Sequence, residues 1–334
     1  MNKSLKVGLL DYTPSKYDRV YDARLSRDVV VAAFRESADK DVLVFHTYMR
    51  GLDENIPKND FDAFVIMGNI LSPIKPSYEL DRVKQQIQEV ISEKPVLGIC
   101  FGHHIIAQLA GNQSKELNEL IIGPTDVRLY EDIEDMGRAG DTVKLPMNQI
   151  YKITNANHSL KVLAISDSGI QIADATDHFG GNPVMGFQFH PEFAATDLGW
   201  RAFRNVYELT VERILSGDYP EFNLEPILKV LNSRVLRRLK KSTNPEYLRG
   251  SDITDKEKEL LMSPFHNIVL SEKPLLGTSH SRRTHEELRQ KSRAAIRFFV
   301  SRALQAKNRP KIKPLKPKNP KKVVKKPEQL KLFS

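Results

Sequence analysis

Short apolar runs alternate with amphipathic stretches through the first hundred residues. Four of the runs have the length of a strand and few polar residues: Leu5–Leu10, Val42–Phe45, Phe61–Met67 and Val96–Ile99. Two of the stretches between them place apolar residues at helical spacing: Ser26–Ser37 and Tyr78–Ser92. Runs with so few polar residues are typical of strands that are covered on both faces of a parallel sheet. The alternation predicts an α/β fold with a doubly wound, mostly parallel sheet and flanking helices, whose sites lie at the carboxyl ends of the strands.

The apolar runs become shorter beyond Asp126 and follow one another without helical stretches between them. They predict five strands: Val127–Tyr130, Gln149–Thr154, Lys161–Ser166, Ile170–Ala173 and Val184–Phe189. This pattern is typical of an extension of the sheet in which the strand directions are mixed. A helix is then predicted over Asp197–Leu215, so we expect the α/β domain to cover residues 1–218.

The last third of the chain contains helical patterns and no catalytic motif. One helix is predicted over Leu224–Lys241, and a second begins at a capping box formed by Thr284 and Glu287. Residues 307–334 contain ten lysines, one arginine, five prolines and one acidic residue. Such a segment buries too little apolar surface to offset the entropy lost on ordering. We therefore expect a helical basic extension over residues 219–306, followed by a disordered Lys/Pro-rich tail.

Net charge is divided unevenly along the chain. Residues 1–219 contain 23 lysines and arginines against 31 acidic residues, whereas residues 220–334 contain 28 against 11. The C-terminal tail could bind nucleic acid or another polyanion, because lysine contacts to phosphate release counterions. It could equally serve only to solubilise or tether, since no RNA-binding motif accompanies it and aromatic residues for base stacking are nearly absent. Both interpretations stay open.

A single cysteine and the absence of long apolar runs bear on the compartment. One cysteine excludes an internal disulfide, which is typical of proteins from a reducing compartment. No apolar run approaches the roughly 18 residues of a membrane-spanning helix. The run Leu5–Leu10 is also too short for the core of a signal peptide. We therefore expect a soluble, cytoplasmic protein without a membrane partner.

The cysteine lies at the centre of the stretch Pro95–Gly111, PVLGICFGHHIIAQLAG, which reads as a strand, a sharp turn and a helix. Cys100 stands between Gly98 and Gly102. Flanking glycines permit a strained backbone at the nucleophile because they bring no Cβ into the crowded corner. The residue also precedes the first turn of the predicted helix Phe101–Ala110, where unpaired N–H groups and the helix dipole favour a thiolate. A thiolate in this position is a candidate nucleophile for a carbonyl carbon.

A second stretch, Val184–Phe193, supplies a candidate base for that nucleophile. It reads VMGFQFHPEF and ends a buried strand with a histidine and a glutamate two residues apart, His190 and Glu192. Alternate residues of an extended chain point to the same side, so the carboxylate is expected beside the imidazole. Cysteine, histidine and carboxylate in these roles form the generalised triad of nucleophilic acyl transfer.

Together, GICFGHHIIAQLAG and GFQFHPEF resemble the class I glutamine amidotransferases, over roughly residues 1–215. The resemblance implies a flavodoxin-like α/β fold, with Cys100 as nucleophile, His190 as general base and Glu192 as its orienting partner. It also implies that ammonia is released from glutamine through a γ-glutamyl thioester. Neither a metal nor an organic cofactor is expected.

The same resemblance indicates further binding residues. In the family, a loop after the third strand and the residue after the nucleophile donate N–H groups to the oxyanion, which here implies Gly68 or Asn69, and Phe101. Two such donors stabilise the tetrahedral intermediate by on the order of 3 kcal/mol each. His104 stands where the family usually has a glutamine that helps to hold the substrate. The substrate could therefore be glutamine or another γ-glutamyl compound.

The part that would use the ammonia is not recognisable in this sequence. Neither a G-x-x-x-x-G-K-[ST] phosphate loop nor the Ser-Gly-Gly loop of ATP pyrophosphatases is present. The chain could therefore supply a separate ammonia-accepting synthase, or it could be a free-standing hydrolase. A rival hypothesis is a catalytically weak scaffold protein that retains the fold and binds nucleic acid through its basic C-terminus.

Overall fold

The computed structural model describes residues 4–13, 23–38, 43–50, 52, 55–69, 71–154, 156–199, 202 and 279–309. Within these residues nine strands form one sheet: β1 (Ser4–Asp11), β2 (Leu43–Arg50), β3 (Ala63–Ile66), β4 (Val96–Ile99), β5 (Ser114–Leu129), β6 (Thr142–Ile153), β7 (Lys161–Ser166), β8 (Gly169–Asp174) and β9 (Val184–Phe187). The helices that we name in the same residues are α1 (Ala23–Ser37), α2 (Tyr78–Ile91), α3 (Phe101–Leu109), α4 (Pro191–Ala195) and α5 (Ser279–Lys307).

The sheet has a parallel half and an antiparallel half. Its strand order is β2-β1-β3-β4-β9-β8-β7-β5-β6. The first five strands of that order are parallel to their neighbours, and every pair from β9 to β6 is antiparallel. The short strands β3, β4 and β9 at the centre are buried at every position. This arrangement explains their uninterrupted apolar runs, because helices cover both of their faces.

One face of the sheet is covered by α2 and α3. The buried side of α2 recurs at helical spacing: Leu80, Val83, Ile87, Val90 and Ile91. These residues share one apolar cluster with Ile105 and Ile106 of α3 and with Leu10 of β1. The helix α2 begins where Ser77 Oγ accepts a hydrogen bond from the N–H of Leu80 at 3.1 Å, which satisfies one of the unpaired donors of its first turn.

The opposite face is covered by α1, α4 and α5. The apolar residues of α5 that belong to the cluster on this face are Ala294, Ala295, Ile296, Phe299, Val300 and Ala303. That cluster also contains Leu5, Val7 and Leu9 of β1 and Phe34 of α1. With helices on both faces of a mixed sheet, the predicted fold class is confirmed. The division of the chain at residues 218 and 306 stays a prediction, but α5 packs directly on the sheet.

Basic residues along α5 pair with acidic residues on five different parts of the α/β domain. The pairs are Arg289–Asp197, Arg293–Glu36, Arg297–Asp135, Arg302–Asp174 and Lys307–Asp62. Pairs of this exposure stabilise a fold by at most about 1 kcal/mol each, and most by less. They nevertheless fix the orientation of the helix, and they show that part of the C-terminal positive charge is matched by acidic residues of the sheet domain.

Several predicted boundaries are wrong. The helix α5 begins at Ser279 and not at Thr284, because residues 279–283 contain no glycine or proline that would stop it. The strand β5 begins at Ser114 and not at Val127, because its polar first half is held by long antiparallel pairing with β6. The strand β2 continues to Arg50 instead of ending at Phe45.

Some predictions fall outside the residues that the structure describes. These are the helix Leu224–Lys241, most of the helix Asp197–Leu215, and the tail beyond residue 309. In the described part of the chain, no helix combines the length and the apolar character needed to cross a membrane.

Candidate active site

Three neighbouring strands end at one edge of the sheet and bring the predicted site residues together. The strands β3, β4 and β9 lie side by side and parallel. Ile99 at the end of β4 is in register with Phe187 at the end of β9, so Cys100 and His190 leave the sheet as neighbours. Gly68 follows β3 on the other side of β4. The sites of parallel sheets lie at such carboxyl ends.

Cys100 carries the backbone strain that the glycine pattern predicts. Its φ is +50° and its ψ is −101°, a conformation that costs about 1–3 kcal/mol in a residue other than glycine. The glycines themselves are required by close packing. A Cβ on Gly98 would lie 2.3 Å from the carbonyl carbon of Gly102, and a Cβ on Gly102 would lie 2.8 Å from Ile66. Strand and helix therefore pack backbone to backbone around the nucleophile.

The first turn of α3 starts at the nucleophile. The N–H of Cys100 donates to the C=O of Phe187 at 2.7 Å, and its C=O accepts from the N–H of His104 at 3.2 Å. Phe101 is the first residue of the helix, so its N–H is one of the donors that the helix itself leaves unpaired. That placement suits the predicted role of Phe101 as an oxyanion donor beside a half-buried thiol.

His190 and Glu192 form a buried pair. Nδ1 of His190 lies 2.7 Å from Oε1 of Glu192, and each side chain is only 6% exposed. The predicted geometry was wrong, because the two residues do not lie on an extended chain. The strand ends at Phe187, His190 is the N-terminal cap of α4, and Glu192 lies in the first turn of that helix. The imidazole also stacks on Phe193, with 4.7 Å between the ring centroids.

The surroundings of His190 favour its charged form. Burial alone would lower the pKa of the imidazole, but the charges of Glu192 and Cys100 and the hydrogen bonds to both raise it from 6.5 to about 10. The Nε2 atom is buried, and no oxygen or nitrogen of the described residues lies within ordinary hydrogen-bonding distance of it. The imidazole is therefore a proton carrier whose second nitrogen is left to the sulfur.

Gly68 brings the backbone close to both reacting side chains. A Cβ on this residue would lie 2.9 Å from Cε1 of His190 and 3.7 Å from Cβ of Cys100. A side chain would therefore press on the imidazole. The neighbouring Asn69 uses its side chain locally, since Oδ1 accepts from the N–H of Leu71 at 2.9 Å. Both residues lie where the predicted oxyanion loop leaves the sheet.

His104 lies inside the protein at one remove from the sulfur. Its ring is only 1% exposed, and Nδ1 lies 2.8 Å from Oγ of Ser114. Burial, and then the neighbouring His103, lower the pKa of His104 to about 3, so the ring is neutral near pH 7. Its predicted role in substrate binding stays a prediction.

Two groups that contact the sulfur were not identified from the sequence. Nε2 of Gln188 donates to Sγ of Cys100 at 3.8 Å, and the C=O of Asn148 lies 3.9 Å from the same atom. The signal for the glutamine was present, because it stands two residues before His190. No comparable signal marks Asn148, which comes from β6. The described residues contain no group of three His, Cys, Asp or Glu side chains arranged to hold a metal ion.

The family model for glutamine amidotransferase class-I matches residues 27–209. The chain belongs to this family. Among its relatives, the glutamine-hydrolyzing subunit of GMP synthase from Sulfolobus acidocaldarius is 28% identical over 152 residues, which are 45% of this chain and 77% of that protein. The corresponding protein of Ignicoccus hospitalis is 29% identical over 166 residues, 46% of this chain and 81% of that protein.

Two further similarities concern other members of the family. Anthranilate synthase component 2 of Pyropia yezoensis is 30% identical over 120 residues, which are 34% of this chain and 60% of that protein. Among solved structures, a glutamine amidotransferase of Thermotoga maritima is 19% identical with a TM-score of 0.48, over 80% of this chain and 99% of that one.

Proposed function

We propose that this amidotransferase hydrolyses the side-chain amide of glutamine through a γ-glutamyl thioester on Cys100. His190 moves the proton and Glu192 orients and charges the imidazole. The observation that carries the proposal is the convergence of a strained cysteine and a buried histidine–glutamate pair at the ends of two adjacent parallel strands. Membership of the class I family supports the same chemistry.

The resting site is a thiolate beside an imidazolium. The raised pKa of His190 means that the imidazole holds its proton at neutral pH, and the negative charge on the sulfur is one cause of that rise. The pair is consequently activated before substrate arrives, and no separate deprotonation of the thiol is needed. The strained turn presents the sulfur to the open edge of the sheet.

Attack of the thiolate on the amide carbon forms a C–S bond and places a negative charge on the carbonyl oxygen. The N–H of Phe101 and a backbone N–H of Gly68 or Asn69 are the donors that we assign to this oxygen. Each donor of this kind stabilises the intermediate by on the order of 3 kcal/mol. The close backbone approach at Gly68 supports that assignment.

Collapse of the intermediate uses the proton that His190 holds. Once the sulfur is acylated its negative charge is gone, so one cause of the high pKa is removed and the imidazolium donates to the departing nitrogen. The C–N bond breaks and ammonia leaves. The neutral imidazole then takes a proton from water, the hydroxide attacks the thioester, and the C–S bond breaks. Glutamate leaves, and the thiolate and imidazolium are restored.

A separate synthase is the proposed consumer of the ammonia. The relatives are named as one subunit of GMP synthase and as component 2 of anthranilate synthase, which supports a role as one part of a larger amidotransferase. The rate of the isolated protein tests this point. Turnover within the usual enzymatic range of about 1–1,000 per second would identify a free-standing hydrolase, whereas a far lower rate is expected for a glutaminase without its synthase.

The proposed chemistry is tested by trapping the thioester. Wild-type protein mixed with isotopically labelled glutamine and quenched in acid should carry one labelled γ-glutamyl group on the peptide that contains Cys100. Cys100→Ala should carry none while keeping the circular dichroism spectrum of the wild type. A panel of γ-glutamyl amides and peptides, run in the same way, identifies the preferred substrate. Label that persists in Cys100→Ala would refute the assignment of the nucleophile, and a wild type that no compound labels would refute the reaction.

Polyanion binding is a second candidate function for the C-terminal part. It is supported by the 28 basic residues against 11 acidic ones in residues 220–334. Binding to a labelled oligonucleotide should weaken steeply with salt, and removal of residues 310–334 should abolish it without changing thioester formation. Affinity that does not change with salt, or that survives the truncation, would contradict this role.

A further inference from the structure

The sulfur of Cys100 has polar neighbours besides the imidazole of His190. The amide of Gln188 donates from Nε2 to Sγ at 3.8 Å, and the C=O of Asn148 lies 3.9 Å from Sγ. A protonated thiol can donate to that carbonyl oxygen. A thiolate has no proton to donate, and it accepts from the amide of Gln188 instead. The two neighbours therefore respond differently to the charge on the sulfur.

A line of polar side chains continues inward from Gln188. Nδ1 of His104 lies 2.8 Å from Oγ of Ser114, and Nε2 of Gln108 donates both to that Oγ at 3.1 Å and to the C=O of Pro73 at 2.8 Å. The second ring nitrogen of His104 and Oε1 of Gln188 are buried and lack an ordinary hydrogen bond within the described residues. The two side chains are nevertheless close enough for Gln188 to influence the pKa of His104.

We propose that Gln188 holds the Cys100 thiolate with an N–H···S hydrogen bond, and that His104 is a positioning residue that fixes the orientation of the Gln188 amide. The inference rests on the proposed function only in taking Cys100 as the nucleophile. It gives His104 a role that acts through Gln188 and needs no contact with the substrate.

The charge on the sulfur sets the direction of every hydrogen bond in this line. A thiolate only accepts, so Gln188 turns its NH₂ group to the sulfur and its Oε1 to His104. That oxygen only accepts, so the ring presents Nε2–H to it. Nδ1 is then an acceptor, and it takes the hydroxyl proton of Ser114. Gln108 completes the line because its amide N–H donates to the same hydroxyl oxygen.

A neutral ring is what this arrangement requires of His104. Burial and the nearby His103 hold the pKa of His104 near 3, so one nitrogen donates and the other accepts throughout the neutral range. A charged ring would donate from both nitrogens and would lose its acceptor for Ser114. In free enzymes such hydrogen bonds are often long and shorten when substrate binds, which fits the open contact between the ring and the Gln188 oxygen.

The test measures the sulfur itself. The rate of alkylation of Cys100 by iodoacetamide is followed against pH in the intact protein, and the pH of half-maximal rate reports how strongly the thiolate is held. Gln188→Met keeps the length of the side chain but removes the N–H. It should move the half-maximal pH upward by about half a unit to one unit, as expected for one lost hydrogen bond. Alkylation is confined to one site because the chain has one cysteine.

Gln171→Met is the matched control. Gln171 is also a buried glutamine, and its backbone C=O accepts from the N–H of Gln188, but its amide bonds to Gln149, Ser166 and Ser168 and not to the sulfur. It should lower stability and leave the half-maximal pH unchanged. An unchanged half-maximal pH in Gln188→Met, or an equal shift in both variants, would overturn the proposal.

His104 is tested by loss and rescue. His104→Leu should move the half-maximal pH in the same direction as Gln188→Met but by less, whereas His104→Gln can still donate to the oxygen of Gln188 and should restore the wild-type value. If Gln188→Met fails to fold, as judged by circular dichroism, these two variants decide the matter. Equal shifts in His104→Leu and His104→Gln would show that the ring acts only through packing, and would overturn the positioning role.

The alkylation profile separates this inference from the proposed function. A wild type that forms no γ-glutamyl thioester, while Gln188→Met still shifts the profile, would refute the hydrolase and leave the hydrogen bond standing. Thioester formation combined with an unshifted profile would do the reverse.

Discussion

The docking of α5 on the sheet can be tested at two adjacent phenylalanines. Phe299 is completely buried and meets Phe34 of α1 edge to face, with 6.5 Å between the ring centroids. Phe298 is half-buried, and Arg302 lies over its ring at 5.3 Å from the centroid. The two positions therefore carry the same side chain in the same helix but differ in what removal of the ring would expose.

Phe299→Ala should lower the free energy of unfolding by about 3–5 kcal/mol, the usual cost of removing a fully buried aromatic side chain. Phe298→Ala should cost only about 1–2 kcal/mol, from partial burial and the loss of the contact with Arg302. A loss of about 4 kcal/mol is a large fraction of the 5–15 kcal/mol that stabilises a typical domain. The difference between the variants follows directly from the position of α5 in the core that contains β1.

Urea unfolding provides the assay. It is followed by the fluorescence of Trp200, the only tryptophan of the sequence, and by circular dichroism, with γ-glutamyl thioester formation measured at each urea concentration. The two optical signals and the activity should be lost in one transition, shifted to lower urea in Phe299→Ala. Equal midpoints for the two variants, or an early transition that leaves activity intact, would refute the packing of α5 as part of the catalytic core.

Three further predictions concern the site. Gly68→Ala should lower kcat/KM by about 10- to 100-fold, because its Cβ would lie 2.9 Å from the ring of His190 and displace it. Gly137→Ala creates an equally close contact with Leu129 and should change kcat/KM by less than about twofold. Glu192→Gln should lower kcat by on the order of a thousandfold, measured as ammonia release, since the imidazole loses the charge that orients it. The pKa of His190 is raised from 6.5 to about 10, so its contribution to stability is complete below pH 6.5 and is lost towards pH 10. In urea titrations Glu192→Gln should weaken that decline.

Each of these expectations has a contrary result. Equal losses of kcat/KM in the two glycine variants would show that the effect at Gly68 is general destabilisation. A Glu192→Gln enzyme within tenfold of the wild type would remove the carboxylate from the mechanism. An unfolding free energy with the same pH dependence in both proteins would contradict the raised pKa of His190.

The convergence of Cys100 and His190 could be predicted from the sequence because it depends on local signals. Two uninterrupted apolar runs identify central parallel strands, and residues just beyond such strands meet at one edge of the sheet. The details of the pair with Glu192 could not be predicted in this way. Whether the chain stays extended or enters a helix after His190 depends on how α4 packs against α1 and α5, which are distant in sequence.

The contacts of Gln188 show a second limit. Its place two residues before His190 is visible in the sequence, but its contact with the sulfur depends on the register between β4 and β9 and on the side chains of α3 beside it. The packing of α5 shows the same limit. Helical spacing of Ala295, Phe299 and neighbouring residues predicts an apolar face, but nothing local says that this face lies on a sheet made by the other end of the chain.

The position of α5 also determines when the protein can acquire its final form during translation. Residues of β1 leave the ribosome first, yet the cluster to which Leu5 and Val7 belong is completed only by side chains near residue 300. Nearly the whole polypeptide must emerge before that apolar surface is fully covered. The nascent amidotransferase therefore depends for most of its synthesis on factors that shield exposed apolar surface, and slow elongation through the last hundred codons would prolong that dependence.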